Sequence, residues 1–354
     1  LDFVGLVRHV CLALVLARGV ALPDAAPTPA ASPLDVAMDT AEADAVLTIL
    51  ARHDSRRAVR NADWDGLFQT AGYQRLFARE KAMKRPFSNA EFETFVLSQN
   101  KQLERASLSA TLQRWKSVDV TRAGQKALVY LPPGARIRAT IFPVIKPKPN
   151  SFVFDKPAPS IFLALDPNVS AEKLANTLVH ELHHIGFASA CPPPEVSAEA
   201  ERLPPAPEQA LQWLSAFGEG FAMLAAAGNV DTHPHQVSAP ADRDRWDADM
   251  KNVDRDLENL DAFFREILEK RLTSEQADTR GAAFFGIQGP WYTVGYQMAT
   301  TIERAFGRRE MIQCFCDARR LPGAYNQAAD KLHQGDARWS RTVTDAFRPD
   351  KSEK

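Results

Sequence analysis

The chain has 354 residues, which at roughly 150 residues per domain gives a prior of about two domains. Hydrophobic residues make up 45% and charged residues 25%, so overall disorder is excluded: a chain of this size and apolar fraction can bury a large core. The 43 basic and 44 acidic residues nearly cancel to a net charge of -1, which leaves no basic excess to hold a phosphate backbone and excludes a dedicated nucleic-acid binder.

Arg8 and His9 precede the apolar run Val10–Ala17, and Ala/Pro-rich sequence continues to Pro33. A basic start, a short apolar stretch and small residues after it have the pattern of a secretory signal peptide, so residues 1–33 are read as a leader and the protein as exported. Translation from Met38 would instead leave it cytoplasmic. The run falls far short of the roughly 20 residues that a membrane span needs, so no stable span is expected. Cys11 would depart with the leader. Cys191, Cys314 and Cys316 are read as buried thiols: three cysteines make no disulfide framework, and Cys314 and Cys316 stand too close for the usual CxxC metal spacing.

Leu34 to Trp115 reads as helical, with Asp39 and Glu42 as a capping-box pair before Ala45, Val46, Ile49 and Leu50, and Ser88 with Glu91 repeating the signature. Four strand-like runs follow: Lys126–Leu131, Arg136–Ile145, Ser151–Phe154 and Ser160–Leu165. Pro143 within the second run implies a bend or an edge position. A helix then starts at Ser170, with Leu174, Leu178, Leu182 and Ile185 as its buried stripe. After a Pro-rich loop over 191–207, a second helix has Pro207 at its start and Gly228 past its end. The spacing of Trp246, Met250, Val253, Leu257, Leu260, Phe264 and Ile267 predicts one long charged helix over 242–272. A last strong helix runs from Pro290 to about Phe306, stopped by Gly307. The expected class is α+β and mostly helical: a helical part over 34–120 that forms one continuous unit with a region over 121–350, in which a small sheet precedes the Ser170 helix.

Residues 180–184 read HELHH, which contains HExxH through His180, Glu181 and His184. Four residues are slightly more than one helical turn, so both imidazoles project from one face and can share a cation, with Glu181 at the edge of that face in reach of a metal-bound water. Chance produces the pattern in roughly one chain per hundred of this histidine content, and here it sits inside a predicted amphipathic helix. His183 lies on the opposite flank from Glu181 and is read as structural. Phe187 and Ala190 stand where the extended metzincin pattern needs Gly and His, which excludes that class. The candidate third ligand is Glu219 in FGEGFAM: a lone glutamate in an apolar helix needs a partner, and Gly218 and Gly220 would let that helix approach the HExxH helix closely. Glu195, Glu199 and Glu201 lie in the Pro-rich loop and look solvated.

HELHH followed by the Gly-Glu-Gly-Phe-Ala helix and by GPWYTVGYQMATTIE at 289–303 resembles the gluzincin arrangement, and over roughly residues 35–340 resembles an uncharacterised bacterial family of zinc-dependent peptidases. The resemblance implies a zincin-like fold, zinc on His180, His184 and Glu219, Glu181 as general base, and a peptide or protein substrate. The gap to the third ligand is longer than in the best-known gluzincins, so their substrates do not carry over. Peptide hydrolysis also needs a donor for the oxyanion, and Tyr292 and Tyr296, one turn apart, are the candidates, with His233 and His235 a second pair. If Ile161–Leu165 formed a sheet edge beside the cleft, it could pair with an extended peptide. The rival is a zincin-shaped binding or scaffold protein with a structural or degenerate metal site, which a fourth ligand such as His183 would favour.

Overall fold

The computed structural model describes residues 32–148, 151–154, 158–191 and 205–348; residues 1–31 of the leader-like segment and Glu195, Glu199 and Glu201 lie outside them. The described residues open with strand β1 (Leu34–Met38), where a helix was expected. Leu34, Val36 and Met38 alternate with more exposed neighbours, a period of two too short to stand out before the helix that follows. Five helices come next: α1 (Ala41–Asp54), α2 (Asn61–Phe68), α3 (Ala71–Ala82), α4 (Asn89–Val96) and α5 (Gln99–Lys116). Ser88 caps α4 as expected, accepting the Glu91 N–H. Glu42 does not cap α1. It is buried and accepts the Ile145 N–H at 3.0 Å, while Thr40 occupies the N-cap position.

The expected strand at Lys126–Leu131 is instead the end of helix α6 (Val120–Leu128) and the turns after it. Asp119 caps α6 by accepting the Arg122 N–H, and its small face buries Ala123, Gly124 and Ala127. A Cβ on Gly124 would come within 2.3 Å of Leu34, so β1 and α6 pack directly. Strands β2 (Ile137–Val144), β3 (Phe152–Phe154) and β4 (Ser160–Ala164) complete a mixed sheet in the order β1-β2-β4-β3. β1 and β4 run parallel to β2, while β3 is antiparallel to β4. Pro143 falls beyond the last β1 pairing, Met38 with Ile141, so β2 loses no ladder bond there. The edge expected of Ile161–Leu165 does not hold: β4 is covered on both sides, and β3 is the outer strand.

Helix α7 (Ala171–Ala190) carries HELHH, and Ser170 caps it through the Lys173 N–H at 3.1 Å. Its stripe of Leu174, Leu178, Leu182 and Ile185 shares a core with Ile137, Ile141, Ile161 and Leu163 of the sheet. Phe142, Val144, Phe152 and Phe162 alternate to the other face, where they meet Leu76 of α3.

The remaining helices build a second core around Phe217, Phe221, Phe263, Phe264, Trp291 and Trp339. They are α8 (Pro205–Leu214), α9 (Gly218–Ala227), α10 (Pro240–Met250), α11 (Val253–Leu268), α12 (Ser274–Ala283), α13 (Pro290–Phe306), α14 (Arg308–Cys316), α15 (Leu321–Lys331) and α16 (Arg341–Ala346). Pro290 and Gly307 bound α13 as expected, and Gly228 ends α9 at φ +89°. The single helix expected before Gly228 is two, interrupted by a 3-10 turn at Ser215–Phe217. The long helix over 242–272 is likewise two, broken at Lys251 and Asn252, where the Asn252 N–H turns back to the Asp249 carbonyl. The apolar seam runs on across the break, so its spacing could not reveal the kink. Among the described residues no helix is long and apolar enough to cross a membrane.

Cys191 and Cys316 are not free thiols but a disulfide across 125 residues, joining the C-terminal end of α7 to that of α14. Two residues apart on a helix means about 200° of rotation, so Cys314 and Cys316 face opposite ways. Cys314 stays a free, buried thiol, and burial pushes it up to about 12. Linear spacing held no sign of the pairing, because folding alone brings the two helix ends together.

Two predictions follow from these contacts. Peptide mapping under non-reducing conditions should recover Cys191 linked to Cys316, and replacing both by serine should cost about 2–4 kcal/mol of stability. Recovery of Cys191 as a free thiol in oxidised protein would count against the cross-link. Burial lifts the Glu42 carboxyl to about 8, against the pull of the Ile145 N–H and Lys146. Unfolded, it ionises near its ordinary value of 4.5, so the stability it lends is full below that pH and is lost as pH rises toward about 8. Thermal unfolding of Glu42→Gln should therefore vary less across this window than wild type; equal slopes would refute the assignment.

Candidate metal centre

Three side-chain atoms meet where the two cores adjoin. On α7, His180 and His184 lie one turn apart with their Nε2 atoms 3.1 Å from each other. Glu219, in the first turn of α9, brings Oε2 to 3.2 Å from His180 Nε2 and 3.3 Å from His184 Nε2. His180 and Glu219 are buried, while His184 keeps some exposure. Hydrogen bonds cannot satisfy this triangle. If both imidazoles donate to Glu219, their N–H groups oppose each other; if one is turned round, its lone pair faces the carboxylate. Zinc with nitrogen and oxygen ligands about 2.0–2.1 Å away in a tetrahedron holds them roughly 3.3–3.4 Å apart, so the donor set fits such an ion.

The position of Glu219 comes from α13 more than from α7. A Cβ on Gly220 would lie 2.1 Å from the Tyr296 nitrogen and 2.5 Å from the Tyr292 oxygen, and one on Gly295 would lie 2.6 Å from the Phe217 oxygen. The two helices therefore cross backbone to backbone, glycine to glycine. This corrects the expectation that Gly218 and Gly220 serve the approach to the HExxH helix: Gly218 has nothing within 4 Å, and Gly220 meets α13. Against α7, α9 instead presents Phe221, whose ring is 4.4 Å from that of His183 and 5.9 Å from that of Phe187.

Burial alone would raise the Glu219 carboxyl, but His184 and His180 hold it far below the usual carboxylate range. Burial alone would lower His184, and the Glu219 charge raises it. Burial raises Glu181, with only partial opposition from the two histidines, and its Oε2 is buried without a hydrogen-bond partner. A carboxylate with one free oxygen and a raised pKa is suited to taking up a proton.

The structure separates the two tyrosines. The Tyr292 ring stacks 6.4 Å from that of His180, and burial, then the Glu219 and Glu181 charges, push its pKa well above the ordinary value. The Tyr296 hydroxyl points elsewhere, to the Thr232 carbonyl at 3.4 Å, and its ring meets Trp246 edge-on. His233 pairs with Asp247 at 2.9 Å and His235 with Ser238 at 3.0 Å, so neither belongs to the triangle. His183 is also outside it: burial drives its pKa well down, and its neutral ring donates from Nε2 to the Tyr130 carbonyl at 3.3 Å. Sequence reasoning passed over Met223, one turn beyond Glu219, and Gln288, whose Nε2 lies 4.0 Å from the Met223 sulfur. A methionine in an apolar helix and a glutamine in a turn carry no signal of a shared wall.

An α+β chain that sets two histidines of one helix against a glutamate of another defines a candidate metal-binding protein. The sequence profile of a family described as "Putative zinc dependent peptidase (DUF5700)" matches residues 64–334, and the chain belongs to that family. No curated protein and no solved structure matches it.

The glycine crossing gives a direct test. Gly220→Ala should force α9 away from α13, cost about 1–3 kcal/mol or more by overpacking, and weaken zinc binding together with stability. An alanine variant with wild-type zinc affinity and unfolding temperature would show that the contact does not set the site.

Proposed function

We propose that the protein is a zinc-dependent peptidase in which His180, His184 and Glu219 hold the ion. The observation that carries this reading is the triangle of 3.1, 3.2 and 3.3 Å, which suits a cation and defeats hydrogen bonding. Zinc, when bound, supplies a Lewis acid that polarises a carbonyl and brings the pKa of water down to about 7. Glu181 takes on its free Oε2 the proton of the water whose oxygen bonds to the scissile carbon, and returns it to the amine as the C–N bond breaks. Tyr292 donates its O–H to the developing oxyanion of the scissile carbonyl, a role supported by its ring lying against His180 while the Tyr296 hydroxyl is turned to the Thr232 carbonyl. The substrate is a peptide or protein. The Cys191–Cys316 disulfide supports an oxidising compartment, in keeping with the export expected from the N-terminal segment. The scaffold alternative draws no support from His183, whose Nε2 is engaged by the Tyr130 carbonyl.

Metal content and turnover decide the matter together. Wild type should carry about one zinc per chain and cleave a peptide library in a chelator-sensitive way. His184→Ala should lose the metal, while Glu181→Gln should keep it and lose about 100- to 10,000-fold in rate. Wild-type activity in Glu181→Gln would remove Glu181 from the mechanism, and absence of chelator-sensitive cleavage by zinc-loaded wild type would remove the peptidase.

A further inference from the structure

On the far side of the sheet from α7, a cavity of about 460 Å³ opens between α3, α4 and the end of β2. Its size is that of a small-molecule site. Phe87, Phe92 and Phe95 form apolar walls together with Leu76, and Arg85, Lys146 and Lys148 bring three cations to the lining. Two carboxylates line it as well, Glu80 and Glu91, and both are engaged. Glu80 Oε1 takes the Arg79 guanidinium at 2.5 Å, and Glu91 accepts the Ser88 hydroxyl at 2.8 Å in the first turn of α4. Three cations against two carboxylates leave a surplus of one positive charge within walls that are mostly hydrocarbon.

Two of these cations are costly where they stand. Lys146 is 7% exposed, with its ammonium 5.4 Å from the centre of the Phe152 ring and donating to the Lys148 carbonyl. Burial, then the charges of Arg79, Lys148 and Arg85, hold it down at about 8 against the pull of Glu80. Arg85 points to a ligand more directly. Its Nη1 is buried and makes no hydrogen bond among the described residues, and Glu80 Oε2, at 3.8 Å, is too far to accept one. A charged donor shut away from water without an acceptor carries the full penalty of its lost hydration, so an acceptor from outside the chain is called for.

A carboxylate answers these groups on three counts. Its two oxygens can accept side by side from a guanidinium. Its single negative charge offsets a surplus of one. The body of an organic acid also covers the phenylalanine rings, which a hydrated phosphate would leave bare. We infer that this cavity is a second ligand site, apart from the metal centre, which takes a small organic carboxylate with an aromatic or branched aliphatic body. The inference does not depend on zinc or on peptide cleavage.

The test is titration calorimetry of the full-length protein with naphthoate, with its neutral counterpart naphthamide and with inorganic phosphate. Arg85→Gln and Lys148→Gln each remove one cation from the lining, and Arg255→Gln, exposed on α11, is the control. Wild type and control should bind naphthoate about tenfold or more tighter than naphthamide. Arg85→Gln should weaken naphthoate about tenfold to 100-fold, and Lys148→Gln by less, with unfolding temperature and naphthamide binding unchanged. An acetylated peptide ending in phenylalanine separates two sources of the carboxylate. Binding as tight as that of naphthoate would assign it to a peptide terminus and weaker binding to a free acid, and both uphold the class. Wild-type naphthoate affinity in both cation variants would overturn the inference. So would equal affinity for naphthamide, displacement of naphthoate by an equal concentration of phosphate, or no binding of naphthoate at millimolar concentration.

Discussion

A carboxylate removed from water must be given charge or donors, and Glu219 imposes that requirement on the fold. Stranding one ion in a protein interior costs several kcal/mol even after relaxation. Two imidazoles meet it, with the Tyr292 ring stacked against one of them, and the helices that carry these groups answer to two different constraints. The histidines are placed by α7, which the sheet core fixes through Leu174, Leu178, Leu182 and Ile185. Glu219 and Tyr292 are placed by α9 and α13, which the C-terminal core fixes around Phe217, Trp291 and their neighbours. The centre thus lies at a seam, and neither core contains it alone.

What closes the seam is apolar and covalent. Phe221, two residues past Glu219, packs against His183 and Phe187 of α7 on one side and against Phe315 of α14, at 4.6 Å, on the other. Phe315 adjoins Cys316, whose disulfide returns to the end of α7. The circuit α7, α14, Phe315, Phe221, α9 therefore ties the histidine helix to the glutamate helix away from the chemistry. A bound cation adds to the same tie, because an ion held from both sides stabilises only the docked arrangement.

Much of the site was legible in the sequence because its signals are local. HELHH fixes two imidazoles on one face by helical geometry alone, and a glutamate between glycines in an apolar helix stands out by its cost. The structure brings His180, His184 and Glu219 together and sets the Tyr292 ring against His180, while the Tyr296 hydroxyl meets the Thr232 carbonyl, a difference that spacing could not show. The misread elements are those whose information is not local. β1 is a strand because β2 pairs with it, and Lys126–Leu131 is not one because Asp119 caps a helix already under way. The disulfide and the Gly220–Gly295 crossing join positions far apart in the chain, and no period connects them.

The third histidine of HELHH shows how one helical turn serves two ends. Helix α6 finishes just before Tyr130, and a carbonyl there has no helical donor to meet it. His183 supplies the donor from Nε2, which fixes its tautomer and leaves a neutral ring to pack on Phe221. A leucine would fill similar space but leave the Tyr130 carbonyl buried and unpaired, at about 1–3 kcal/mol. A lysine would bring a charge to within reach of the centre and compete with its cation. Histidine satisfies that carbonyl while its neutral ring packs among the aromatics, so the third histidine of the turn serves packing while the other two converge on Glu219.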